Sequence, residues 1–151
     1  MKARDIMTPH PLTVAPGDPV WKAAEIMRYE DIGGVPVVSG AGRLVGLITD
    51  RDITVRCVAR RHDHECPVRA HMTPAPLQTV SPDADIGEVV REMEAAEVRR
   101  IPVVDDQGRL IGIVAERDIA MKLAASEALP LRKKIKAASR PALAIFDLAV
   151  H

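Results

Sequence analysis

The chain has 151 residues, 47% hydrophobic and 28% charged, a balance that suits one domain or two small ones and excludes disorder as the main state. Lys+Arg and Asp+Glu each total 21, for a formal net charge of zero, which excludes a protein that grips polyanions over its whole surface. Trp21, Tyr29 and Phe146 are the entire aromatic set, too few to stack successive bases of a single strand, so no nucleic-acid partner is expected.

The opening MKARDIMTP has no apolar core of a signal peptide, and no apolar run approaches bilayer length. Neither secretion nor membrane insertion is therefore expected. Cys57 and Cys66 do not make a disulfide framework, and the expectation is a reducing cytoplasm.

Taken in chain order, the sequence repeats itself. Met7-Thr8-Pro9-His10-Pro11-Leu12 recurs as Met72-Thr73-Pro74-Ala75-Pro76-Leu77, and Val14 through Arg56 then matches Val80 through Lys122 at a constant offset of 66. In the first copy, Thr13–Pro16 reads as extended. Asp18-Pro19 reads as a helix start with a capping acid and a first-turn proline. Val20, Ala23, Ala24 and Met27 then keep the i, i+3, i+4, i+7 spacing of one helical face, as Ile86, Val89, Val90 and Met93 do in the second copy.

Val35–Val38 and Ile101–Val104 are short β-branched runs. Turns at Ser39–Gly42 and Asp105–Gly108 lead to Arg43–Ile48 and Arg109–Val114, and second helices are expected to open at Asp50 and Glu116. This gives a first repeat over 1–58, a polar linker over 59–68, a second repeat over 69–125, and a tail over 126–151. The tail carries Arg132, Lys133, Lys134, Lys136 and Arg140 and ends in the apolar PALAIFDLAVH.

Two segments carry a specific resemblance. Leu44–Asp52 is similar to the pattern in which a glycine-bearing strand ends in Thr-x-x-Asp at a helix start, and Val98–Asp105 is similar to its companion hallmark. Over about residues 3–124 the chain resembles a tandem pair of cystathionine-β-synthase (CBS) repeats, a Bateman module. The resemblance implies an α/β fold of two strand-helix-strand-strand-helix repeats, packed through their sheets with pseudo-two-fold symmetry. It implies a homodimer and a non-catalytic regulatory or sensor role. Its ligand would be an adenine nucleotide (AMP, ADP or ATP), with NAD-type compounds and S-adenosylmethionine also in its range, and no cofactor is required.

Carried over residue by residue, the main cleft would draw Leu47, Thr49, Arg51 and Asp52 from the first repeat. From the second it would draw Pro76, Leu77, Gln78, Val98, Arg99, Arg100 and Pro102. Asp52 would hold the ribose, Thr49 a ribose or phosphate oxygen, and one or both of Arg99 and Arg100 the phosphates. The second cleft would use Ile113 and Asp118 with Leu12, Thr13, Gly33, Gly34 and Pro36. There Ala115 replaces the threonine and Gly33-Gly34 replaces the arginine pair, so weaker binding is expected.

The chemistry fits those residue types. A helix start offers unpaired N–H groups to phosphate, a carboxylate accepts from two ribose hydroxyls, and arginine's planar fork matches phosphate oxygens. Plainer readings stand beside these: Thr49 and Asp52 also resemble a capping box, and an arginine pair also suits a solvated face.

His62-Asp63-His64-Glu65-Cys66 gathers metal-ligand types but lacks the paired spacing of a structural zinc site. It reads as exposed linker, and no metal site is expected. No nucleophile–base pair or phosphate-binding glycine loop has motif support, so an enzyme is not expected. Whatever the chain regulates would be a separate polypeptide, or the module would act as a nucleotide reservoir or stress-response protein. The alternatives are a ligand-poor CBS scaffold for dimerisation and docking, or a metal- or redox-responsive protein using the Cys57–Cys66 region.

Overall fold

In the computed structural model, residues 1–125 are described, and the tail expected over 126–151 lies outside the described residues. The elements run α1 (Ala3–Ile6), β1 (Thr8–Pro9), α2 (Val20–Glu30), β2 (Gly34–Val38), β3 (Leu44–Thr49) and α3 (Asp50–Asp52). A π-helical continuation (Ile53–Val58) and a 3-10 turn (Val68–Ala70) follow. Then come β4 (Thr73–Pro74), α4 (Ile86–Ala96), β5 (Arg100–Val104), β6 (Leu110–Ala115) and α5 (Glu116–Ala125). The repeat seen in the sequence is a repeat of elements, and the fold is mixed α/β with antiparallel sheets.

Each repeat contributes one hairpin. β2 pairs with β3 so that Pro36 faces Leu47, and β5 pairs with β6 so that Pro102 faces Ile113. Register shifts at the matching places, between Val37 and Val38 and between Val103 and Val104. Gly42 at φ 81° and Gly108 at φ 76° close the two turns, a left-handed backbone that glycine adopts without a Cβ penalty.

The third strand of each sheet comes from the other copy's leading segment. β1 pairs with β6, and β4 pairs with β3. This is where the recurring Met-Thr-Pro sits, and it explains the glycines opposite. A Cβ on Gly46 would lie 2.6 Å from Met72 Sδ and 2.8 Å from the Thr73 carbonyl, and one on Gly112 would strike Met7 Sδ. The compact units therefore differ from the linear repeats. Among the described residues, one is Leu12–Leu77, and the other joins Met1–Pro11 to the residues from Gln78 to Ala125.

In the Leu12–Leu77 unit, α2 lays Val20, Ala23 and Met27 on a core with Val14, Val35, Val37, Ile48, Cys57 and Val68. In the other, α4 lays Ile86, Val89, Val90 and Met93 on Ala3, Ile6, Ile101, Val103, Val114 and Ile119. Each fully buried Val or Ile side chain contributes about 1.5–3 kcal/mol of transfer free energy. The aliphatic periodicity thus suffices for two cores without aromatic residues.

One local expectation needs correction. Asp18 does not cap α2: its carboxylate accepts from the Ala15 N–H at 2.8 Å, and Pro19 is the N-cap, with no side-chain bond. Proline in that place shifts the helix start by one residue, so Asp18 serves the preceding turn. In the second repeat the cap is real, with Asp85 accepting from the Glu88 N–H at 2.8 Å. The segment read as polar linker is exposed from Ala59 to Glu65, but Cys66 is half-buried and Val68 is fully buried. It is strapped to α2, the Val20 N–H donating to the Cys66 carbonyl at 2.8 Å and the Trp21 N–H to that of His64 at 3.1 Å. Among the described residues, no helix is long and apolar enough to cross a membrane.

Candidate functional site

The Thr-x-x-Asp segment begins where β3 ends. Thr49 is extended at φ −111° and ψ 163°, which turns its side chain back over the first turn of α3. Its Oγ1 accepts from the Asp52 N–H at 3.0 Å, and Asp52 Oδ2 accepts from the Thr49 N–H at 2.9 Å. Both residues are buried. The capping box read from the sequence is therefore present, and it satisfies two of the donors that a helix start leaves open.

Asp52 keeps further capacity, since a carboxylate offers about four acceptor positions. Its Oδ1 lies 3.7 Å from Arg56 Nε one turn on, and Arg56 Nη1 donates to the His71 carbonyl at 3.4 Å. Gly33 and Gly34 lie beside this corner. The Asp50 N–H donates to the Gly33 carbonyl at 2.9 Å, and Gly34 pairs with Thr49. Leu47 and Pro36 are buried partners in the same hairpin. Arg51 is exposed and, with Asp50, Thr54 and Val55, lines an open pocket of about 280 Å³.

The second copy repeats the backbone with different chemistry. The Glu116 N–H donates to the Arg99 carbonyl at 2.7 Å, and Arg100 pairs with Ala115. Arg99 Nε lies 3.9 Å from a Glu116 carboxylate oxygen. Ala115 has no hydroxyl with which to answer the Asp118 end of the motif. The two arginines thus stand at their own repeat's helix start, with Asp118 half-buried in the first turn and Val98 in the core behind.

The expected site residues divide by unit. Leu47, Thr49, Arg51, Asp52, Pro76 and Leu77, with Leu12, Thr13, Gly33, Gly34 and Pro36, belong to the Leu12–Leu77 unit. Gln78, Val98, Arg99, Arg100 and Pro102, with Ile113 and Asp118, belong to the other. Pro76 follows a cis peptide bond and is exposed, as are Leu12 and Gln78, and the Gln78 amide bonds the Glu92 carboxylate.

A second group of functional residue types gathers inside the Leu12–Leu77 unit. His62 Nδ1 lies 3.4 Å from His71 Nε2, which lies 3.3 Å from Cys66 Sγ. His71 is buried; burial first, then the neighbouring His62, Arg60 and Arg56, pull its basicity below that of ordinary imidazole, while Asp52 works the other way. Cys57 lies behind. Its thiol donates to the carbonyls of His62 and Asp63, each at 3.7 Å, and burial, with Cys66 and Asp63 adding, pushes its pKa up. Sequence reading stopped at Cys66 and missed His71. The one signal was a histidine five residues past the cysteine, just after the buried Val68.

Comparison with known proteins gives these corners a family. The CBS domain model matches twice, over residues 3–58 and 68–125. The chain is 36% identical over 124 residues to the CBS domain-containing protein YhcV of Bacillus subtilis, covering 82% of this chain and 86% of that protein. Among solved structures, Hypoxic Response Protein I with two coordinated zinc ions has a TM-score of 0.72 at 36% identity, covering 80% of this chain and 98% of that one. CBSX2 in complex with AMP has a TM-score of 0.72 at 27% identity, covering 83% and 98%. The CBS domain pair of MJ0100, with 5'-methylthioadenosine and S-adenosyl-L-methionine, has a TM-score of 0.69 at 28% identity, covering 83% and 98%. With two matches that span most of the chain, on a sheet and helix pattern that repeats from one half to the other, this protein belongs to the CBS domain family as a tandem pair.

Proposed function

We propose that the chain is a non-catalytic sensor that binds an adenine nucleotide between its two repeats. Asp52 would accept from the ribose hydroxyls and Thr49 would contact a ribose or phosphate oxygen. Arg99 and Arg100 would take the phosphates, with Leu47, Val98, Pro102 and the segment Pro76–Gln78 around the base. The observation that carries this reading is a buried carboxylate already oriented by its own helix cap, with acceptor capacity to spare. Relatives of the same fold that hold AMP or S-adenosylmethionine support it. The cleft containing Asp118 would bind more weakly, because Ala115 offers no hydroxyl where Thr49 has one.

The module would work as a cytoplasmic homodimer that passes ligand occupancy to a separate protein. Trp21, Tyr29 and Met121 are exposed helix residues and support a helix-to-helix dimer. Ligand biases such a device only through unequal affinity for its two states.

Thermal unfolding with AMP, ADP, ATP, NAD and S-adenosylmethionine tests the reading. A ligand at 100 times its Kd adds about 2.7 kcal/mol, a readily visible shift. Absence of any shift would overturn the sensor in favour of a ligand-poor scaffold.

A further inference from the structure

We propose that His62, Cys66 and His71 form a site for a zinc-class transition metal ion, with three protein donors and a fourth position left open. The three donor atoms all lie within 4.8 Å of one another. Zinc bonds of about 2.0–2.1 Å to nitrogen and about 2.3 Å to sulfur, at tetrahedral angles, set donors about 3.3 Å apart for two nitrogens and about 3.6 Å for nitrogen and sulfur. The His62–His71 separation of 3.4 Å and the His71–Cys66 separation of 3.3 Å sit on that pattern. The remaining edge, between His62 and Cys66, lies within the same 4.8 Å span.

Hydrogen bonding among the three accounts for less. His71 Nε2 lies near both other donors, and a neutral ring nitrogen carries one hydrogen or one lone pair. It serves one neighbour fully, whereas an ion serves all three. Two imidazoles and a thiolate are the mixture that zinc and its neighbours select over calcium or magnesium. On binding, the Cys66 thiol gives its proton to solvent.

The scaffold is built before any ion arrives. The His62 N–H donates to the Cys57 carbonyl at 2.9 Å, the Cys66 N–H to that of Asp63 at 3.0 Å, and the His71 N–H to that of Val68 at 3.0 Å. With the Cys57 thiol on the carbonyls of His62 and Asp63, the loop is fixed from behind. His71 is 3% exposed and forms the floor, while exposed His62 stands at the mouth, where an ion enters.

The test uses untagged full-length protein, stripped with a chelator and titrated with zinc sulfate. Cobalt(II) serves as the optical probe. The expected result is one tightly held ion per chain, with a four-coordinate cobalt spectrum containing a thiolate-to-cobalt charge-transfer band. Cys66→Ser removes that band. His62→Ala, at an exposed position that leaves the core intact, weakens zinc by more than the roughly 10–100-fold that an outer partner costs. Far-ultraviolet circular dichroism of the metal-free variants confirms folding, and if Cys66→Ser fails to fold, His62→Ala decides. No saturable zinc binding overturns the site, as does a charge-transfer band that survives Cys66→Ser, or unchanged affinity in His62→Ala. The titration contains no nucleotide, so its failure and that of the sensor reading are separate.

Discussion

Thr49 and Asp52 cap one another: the Thr49 N–H donates to Asp52 Oδ2 at 2.9 Å, and the Asp52 N–H donates to Thr49 Oγ1 at 3.0 Å. Any ligand role of this pair is therefore superimposed on a folding role, and the two need separate measurements. Asp52→Ala removes a cap and leaves the buried Thr49 N–H without its partner, a loss of about 1–3 kcal/mol by urea unfolding. Asp52→Asn retains an amide oxygen for that N–H and is expected to stay within about 1 kcal/mol of the parent. Thr49→Ala loses the other half of the box, about 1 kcal/mol. Equal losses for Asp52→Ala and Asp52→Asn would show that the cap depends on charge and not on the acceptor.

The exchanged strands make a second prediction. The backbone of β4 and the sulfur of Met72 just before it leave no room for a Cβ on Gly46, the Thr73 carbonyl standing 2.8 Å from where it would go. Gly46→Ala must displace a strand, so about 1–3 kcal/mol is expected by thermal or urea unfolding. Gly40, with nothing within 4 Å of an added Cβ, tolerates alanine with little change. Similar behaviour of the two variants would contradict the packing of β4 on β3.

Much of this was readable in the residues. The spacing of Ile86, Val89, Val90 and Met93 places all four in a core, as observed, because helical periodicity is a local property. The strand exchange was not legible. β1 and β4 are two residues long and contain proline, so they show no alternation, and β1 finds its partner β6 only across most of the described chain. The Met-Thr-Pro repeat and the glycines opposite were visible, but nothing local links them. Asp18 misled because its neighbour is proline; the same acid one place later, Asp85, is a true cap. The His62–Cys66–His71 cluster combines a loop with a 3-10 turn, and neither has a period that reveals which side chains converge.

The turn after β5 carries a pH signature. Asp105 accepts from the N–H groups of Gln107 and Arg109 and from Arg109 Nε. These partners, the Arg109 N–H foremost, hold its carboxyl below the ordinary 3.8. A carboxylate lowered on folding stabilises the protein above its unfolded value and loses that contribution as pH falls through the folded value. Asp105→Asn is thus expected to shift the urea midpoint at pH 7 and to converge with the parent in acid below the ordinary carboxylate range. A constant difference at every pH would refute the assignment.

The two clefts are predicted to be unequal. Asp118→Ala should change nucleotide binding less than Asp52→Ala, because its motif begins with Ala115. Each lost charge-assisted bond is worth about 1.5–3 kcal/mol, which is about one to two decades in Kd. Calorimetry with AMP should give one strong and one weak class of site. Two equal classes would contradict the ranking.

The most direct measurement is the AMP affinity of Asp52→Asn beside that of the paired Arg99→Ala/Arg100→Ala variant, both first shown to be folded. The sensor account predicts that both lose at least about tenfold, or about 1.4 kcal/mol, since one carboxylate and the opposite repeat's guanidinium groups would hold the same molecule. Parent-like affinity in both variants would contradict it.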